Sequence, residues 1–150
     1  MTDKALDLEN KEIAKQYKKL LKISYRTLSK EDKKLIRSAF DIAVDVHKEQ
    51  RRKSGEAYIF HPIAVAKIVA SEIGLDSTSI AAALLHDVVE DTDWTIDGLR
   101  KEGYSEEILI AIDCVTKKEG EDYDAFVKRT ASNKLATRVK INDLQSNMDL

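Results

Sequence analysis

Four residues that can hold a metal or move a proton, His86, Asp87, Glu90 and Asp91, stand together in the segment SIAAALLHDVVED, whose other members are almost all apolar. A segment apolar on nearly every side reads as a central helix surrounded by its neighbours. On a continuous helix, residues four apart share a face, so His86 stacks on Glu90 and Asp87 on Asp91, with the two pairs about 100° apart. An unpaired carboxylate in an apolar interior is costly, and here several carry like charge. A divalent cation would offset that cost, but it needs more ligands than His86 and Asp87.

The remaining histidines are His47 and His61. His61 is the better candidate, because Pro62 places it at a helix entrance where its ring can point inward. Asp143, in KINDLQSNMDL, could supply a second carboxylate, with Asn147 one helical turn later on the same face. Two imidazoles and two carboxylates suit Mn²⁺, Fe²⁺ or Zn²⁺ better than Ca²⁺ or Mg²⁺. Such an ion, with one coordination position open, lowers the pKa of a water from about 15.7 toward about 7 in the best cases. Glu90 and Asp91 are then placed to orient or deprotonate that water. The basic run Arg51, Arg52, Lys53 lies just before His61, near enough to meet anionic oxygens of a substrate.

The elements that must carry these residues read as helices. Ile13, Tyr17, Leu20, Leu21 and Ser24 recur at helical spacing, which predicts an amphipathic N-terminal helix within about residues 1–28. Ser29 followed by Asp32 resembles a capping arrangement, and Leu35, Ala39, Ile42, Ala43 and Val46 mark the apolar face of a second helix running to about Glu49. Gly55 and Pro62 place Arg51–Phe60 in a loop, and IAVAKIVASEIG resumes the helical pattern. Thr95 and Ser105 open further helices, and two more follow, parted near Ser132 and Asn133.

The chain has 150 residues, 43% hydrophobic and 35% charged, with five Gly and one Pro, which favours a single all-α domain, 1–150, over a turn-rich β fold. A net charge of −2 supplies no global attraction for a nucleic-acid backbone, so an anionic ligand must be met by a local pocket. Cys114 is the only cysteine, which excludes an intramolecular disulfide and a Cys-rich zinc site, fits a reducing cytosol, and reads as a small buried apolar residue. The N-terminal stretch has charges throughout, and no apolar run is long enough to span a bilayer, so a soluble, cytoplasmic protein is expected.

Taken together, RRKSGEAYIFHPIAVA, AALLHDVVEDT and VKINDLQSNMDL, in that order, resemble the HD hydrolase domain of the RelA/SpoT family over roughly Leu20 to Leu150. The resemblance implies an all-α HD-domain fold with a single Mn²⁺, held here by His61, His86, Asp87 and Asp143, with Glu90 and Asp91 in hydrolytic roles. It implies that Arg52, Lys53, Ser54 and Asn147 line a pocket for guanosine tetraphosphate, the alarmone of the stringent response. The 3′-pyrophosphate would be removed to leave GDP. Arg52 could stack on the base while Lys53 meets phosphate.

The segment GYSEEILIAIDCVTKKEGEDYDAFV is more similar to the small single-domain relatives, and no synthetase domain accompanies it. Ala57 stands where the family usually has Pro, Leu144 and Ser146 where the long enzymes have Arg and His, and Leu150 where they have Thr. These changes leave open a different nucleotide, such as one of the NADPH type, or a nucleotide-binding module with weak catalysis. Relatives generally continue past NMDL into further helices, so a truncated domain, or a homo-oligomer that covers exposed core, is also expected.

Overall fold

The computed structural model describes residues 2–23, 27–72 and 76–148, the side chains of Asp91 and Met148 excepted. Among these residues the chain is all-α: α1 (Asp3–Ile23), α2 (Lys30–His47), α3 (Phe60–Ser71), α4 (Ser77–Leu85), α5 (Val88–Asp91), α6 (Ile96–Lys101), α7 (Glu106–Val115), α8 (Tyr123–Ala131) and α9 (Lys134–Met148). The only β feature among the described residues is one antiparallel bridge, Arg51 with Ala57, which closes the base of the loop between α2 and α3. None of these helices is long and apolar enough to cross a membrane.

Side-chain caps account for most of the helix starts. Ser29 accepts from Asp32 N–H at 3.0 Å while the Asp32 carboxylate accepts from Ser29 N–H at 2.9 Å, the capping box expected from their spacing. Thr95 and Ser105 cap α6 and α7 as expected, and Asp76 and Asp122 do the same for α4 and α8. Residues 27–29 are not helical, so the first helix stops short of residue 28, and α1 is described as far as Ile23. Ser24 lies outside the described residues.

Helix α4 is the hub. Every residue from Ile80 to Leu85 is buried, and α2, α3, α7 and α9 pack around it. Helix α3 is buried on most of its surface too, through Ile63, Val65, Ala66, Val69 and Ala70. The other long helices are one-sided: Tyr17 and Leu20 of α1, and Ile36, Ala39, Phe40 and Ala43 of α2, face the core. Tyr17 stacks on Phe40 at 4.2 Å between ring centroids, and the Arg37 guanidinium lies over both rings. Cys114 is buried, and burial pushes its thiol pKa up, away from the nucleophilic thiolate.

The apolar pattern of SIAAALLHDVVED predicted one helix, but α4 stops at Leu85 and α5 begins at Val88. His86 and Asp87 form a turn, with Asp87 at φ −100° and ψ −5°, the bridge region between helical and extended backbone. The chain thus turns between two helical pieces while His86 and Asp87 both keep right-handed helical backbone. Periodicity cannot register this break, because apolar residues flank it on both sides.

Arg129 ties α8 to the end of α7. It donates to the carbonyl oxygens of Asp113 at 2.5 Å and Thr116 at 2.7 Å, while Glu121 receives its Nε and Nη2 at 2.9 and 2.8 Å. The Arg129 hydrogen bonds hold the Glu121 carboxyl at a pKa of about 2, against 4.5 ordinarily. A carboxyl depressed on folding adds stability that is present above its unfolded pKa and is lost as pH falls through the folded one. Replacing Glu121 with Gln should therefore lower stability at neutral pH, and the gap from the natural chain should close as pH falls from about 4.5 to about 2. Urea unfolding across that range checks this.

Candidate metal centre

Three helices deliver the buried polar residues to one point. His61 sits in the first turn of α3, His86 just past the end of α4, and Asp143 on the inward face of α9; α3, α4 and α9 pack on one another. The His61 and His86 side chains are 4% and 5% exposed and that of Asp143 13%, so water screens them little. Ligand atoms of His61, His86 and Asp143 all lie within 4.8 Å of one another.

The distances are those of donors arranged about a common centre. His61 Nε2 lies 2.6 Å from Asp143 Oδ1. His86 Nε2 lies 3.5 Å from the same oxygen and 3.1 Å from Asp87 Oδ2, yet is aligned with neither as a hydrogen bond. Donors held about 2.0–2.2 Å from one ion are separated by roughly 3–3.5 Å, as the two His86 distances are, while the 2.6 Å contact of His61 with Asp143 is a hydrogen bond that a divalent metal would replace. His86 Nδ1 is 2.6 Å from the Ala83 carbonyl oxygen, which can only accept, so Nδ1 carries the proton. That fixes the tautomer in which Nε2 is the ligand atom.

The electrostatics describe the same centre without a cation. Burial pushes the His86 imidazole pKa down, but the Asp87 and Asp143 carboxylates outweigh it and lift it to about 10. Burial likewise opposes ionisation of Asp143, and His61 and His86 override it, holding the carboxyl well below the usual carboxylate range. Asp87 is lowered too, against burial, by His86 and by the Tyr58 hydroxyl. The cluster thus draws in positive charge, and a metal would take the place of the proton held at Nε2.

Asp87 stands at the edge of this cluster, outside the three-residue set, where the Tyr58 hydroxyl donates to its Oδ2 at 2.5 Å. Glu90, exposed on α5, lines the cavity of about 280 Å³ into which the cluster opens. Asp91 ends α5, and its side chain lies outside the described residues. His47 is not part of the cluster: it is buried at the end of α2, its Nδ1 2.5 Å from Gln50 Oε1.

A second cavity, of about 660 Å³, adjoins the first and shares Arg52, Tyr58 and Asn147 with it; Arg51, Lys53, Ser54 and Ser146 complete much of its wall. Its size falls in the ~300–1,000 Å³ range of small-molecule sites. The basic run is divided among different tasks. Arg52 Nη2 donates to Asn147 Oδ1 at 3.2 Å, joining the loop to α9, and Lys53 is exposed on the wall. Arg51 turns toward α1, pairing with Glu9 through both guanidinium nitrogens at 2.5 and 2.9 Å, and it also donates to Gly55 O.

Two site residues escaped the sequence analysis. Lys140 lines the metal cavity with its Nζ 3.6 Å from Asp143 Oδ2, and the three-residue spacing on one helix could have shown it. Tyr58 sits in a loop without periodicity, so nothing in the spacing pointed to it.

Comparison with known proteins agrees with this geometry. The model of the HD domain family matches residues 39–137. The "Guanosine-3′,5′-bis(diphosphate) 3′-pyrophosphohydrolase" of Aquifex aeolicus is 37% identical over 121 residues, 75% of this chain and 17% of that protein. The "Probable GTP pyrophosphokinase" of Mycobacterium leprae is 38% identical over 123 residues, 76% of this chain and 15% of that protein. A further 3′-pyrophosphohydrolase, from Haemophilus influenzae, is 47% identical over 76 residues, 51% of this chain and 11% of that protein. The chain therefore spans less than a fifth of the length of these relatives.

The Glu9–Arg51 pair is the tie between α1 and the loop that carries Arg52 and Lys53. Exchanging Glu9 for Gln should speed amide exchange across residues 51–57 while leaving helicity unchanged, and the swapped pair E9R/R51E should restore protection. Hydrogen–deuterium exchange on the metal-free protein checks both.

Proposed function

Because this chain belongs to the HD domain family and to its RelA/SpoT branch, we propose that it is a metal-dependent phosphohydrolase that converts guanosine tetraphosphate to GDP and pyrophosphate. The observation that carries the proposal is the buried cluster of His61, His86 and Asp143 opening beside a basic cavity large enough for a nucleotide. His61, His86, Asp87 and Asp143 would hold the ion, which we take to be Mn²⁺, in keeping with the mixed nitrogen and oxygen donors. Bound there, a divalent ion supplies Lewis acidity to phosphoryl oxygens and makes water more acidic.

The protein's own groups account for the rest. Arg52 and Lys53 are the cations available to phosphate at the mouth, with Ser54 and Asn147 adding hydrogen bonds, and Arg52 reaches from the basic cavity into the metal cavity. Glu90, on the cavity wall, is the candidate to take the proton of the attacking water, with Asp91 beside it in sequence. Water adds to the phosphorus attached to the ribose 3′ oxygen, that P–O bond breaks, and the 3′ oxygen leaves with a proton. The lone, buried Cys114 suits action in the reducing cytoplasm.

The test is incubation of metal-free protein with guanosine tetraphosphate, with and without Mn²⁺, and resolution of the products by anion exchange. GDP and pyrophosphate in equal amounts, formed only with metal, is the expected result. Turnover of an NADPH-type nucleotide in its place would redirect the proposal to another substrate. Asp87→Asn should abolish both Mn²⁺ binding and turnover, whereas Glu90→Gln should keep the metal and lower kcat by about 10²–10⁴-fold.

A further inference from the structure

Tyr58 occupies a place that neither ligand geometry nor substrate chemistry requires. Its ring stands between two buried imidazoles, with its centroid 4.9 Å from that of His47 and 5.7 Å from that of His61. Its hydroxyl donates to Asp87 Oδ2 at 2.5 Å, the same oxygen that lies 3.1 Å from His86 Nε2. The backbone below it is pinned as well: Tyr58 N–H donates to Gln50 O at 3.0 Å, and the Gln50 side chain takes His47 Nδ1 at 2.5 Å. A continuous series of contacts thus runs from the buried end of α2, through the loop, to a carboxylate at the metal cluster.

Asp87 needs such a restraint. It lies in the turn between α4 and α5, and its side chain makes no cap to either helix. A carboxylate on a turn can swing out to solvent, and at 19% exposure the Asp87 side chain is the most accessible of the four expected ligands. A hydroxyl on a ring held by contacts with His47 and His61 restricts that swing, as partners behind metal ligands commonly do.

Resting on the metal reading of the site given above, we propose that Tyr58 is a positioning residue, which fixes the Asp87 carboxylate beside His86 so that Asp87 joins His61, His86 and Asp143 as a ligand. Tyr58 also lines both cavities, so the loop that presents Arg52 and Lys53 and the metal centre share one side chain. Displacing this loop would loosen the metal, and an empty metal centre would free the loop.

Tyr58→Phe is a clean test, because the ring and its packing remain and only the hydroxyl is lost. Mn²⁺ alone is titrated into metal-free natural and variant protein, with free Mn²⁺ followed by electron paramagnetic resonance. Affinity in the variant should fall by about 10–100-fold, with unchanged helicity by circular dichroism. In turnover of guanosine tetraphosphate, kcat of the variant should return to the natural value at saturating Mn²⁺, with KM for the nucleotide unaltered. Unchanged Mn²⁺ affinity would overturn the proposal, as would a normal affinity with raised KM, which would make the hydroxyl a substrate contact. Natural protein that binds Mn²⁺ without hydrolysing the nucleotide would remove the substrate reading alone, and the Mn²⁺ titration would still decide the role of Tyr58.

Discussion

Two imidazoles and two carboxylates meet where α3, α4 and α9 converge, and much of the molecule can be understood from the demand this makes. Charge is admitted to a helical core only when it is matched, because burial penalises each ionised form. Here the match is internal and partial. Asp143 leans on His61 and approaches His86, while His86 Nε2 is left near two carboxylates without a proper hydrogen bond to either. A cluster with two carboxyls held in their ionised form around a ring nitrogen that lacks a hydrogen-bond partner attracts positive charge to its centre. The apolar helices around it supply the rigidity: with Ile80 to Leu85 fully buried, the end of α4 has no freedom to carry His86 away.

The basic loop is built differently. The metal side is held by core packing, whereas the basic loop is held by a few polar contacts to separate elements: Arg51 to α1, Arg52 to α9, and the bridge of Arg51 with Ala57 across its own base. Partly exposed pairs of this kind restrain a loop without freezing it. Such a loop, unlike the buried cluster, keeps the freedom to open toward a ligand. Ala57 is buried in this loop, which is closed by backbone hydrogen bonds on either side of it, Arg52 N to Glu56 O and Tyr58 N to Gln50 O.

What could be read from the sequence followed the physics of local order. Helix starts are written in single residues, so Ser29 with Asp32, Thr95 and Ser105 could be assigned before any fold was known. His61 was legible from its place beside Pro62 at a helix start, whereas Asp143 stood out from ordinary helix carboxylates only when the rest of the motif was considered. The break between α4 and α5 was not, because hydrophobic periodicity continues across it. Nor were Tyr58 and the partners of the basic run: loop residues obey no period, and Glu9 is paired with Arg51 across 42 positions. Sequence spacing reports neighbours on one element, and these contacts join elements that only the packed core brings together.

At the break the side chains of His86 and Asp87 lie together. Successive residues of a straight helix point about 100° apart, so they cannot both reach one small ion. By leaving α4 after Leu85 and placing Asp87 in the bridge region, the chain turns its carboxylate back until Oδ2 is 3.1 Å from Nε2 of the residue before it. Glu90, three residues on in α5, lines the same cavity. One short interruption in an otherwise apolar helix thus goes with an imidazole and a carboxylate from neighbouring residues lying side by side, which the apolar pattern alone does not announce.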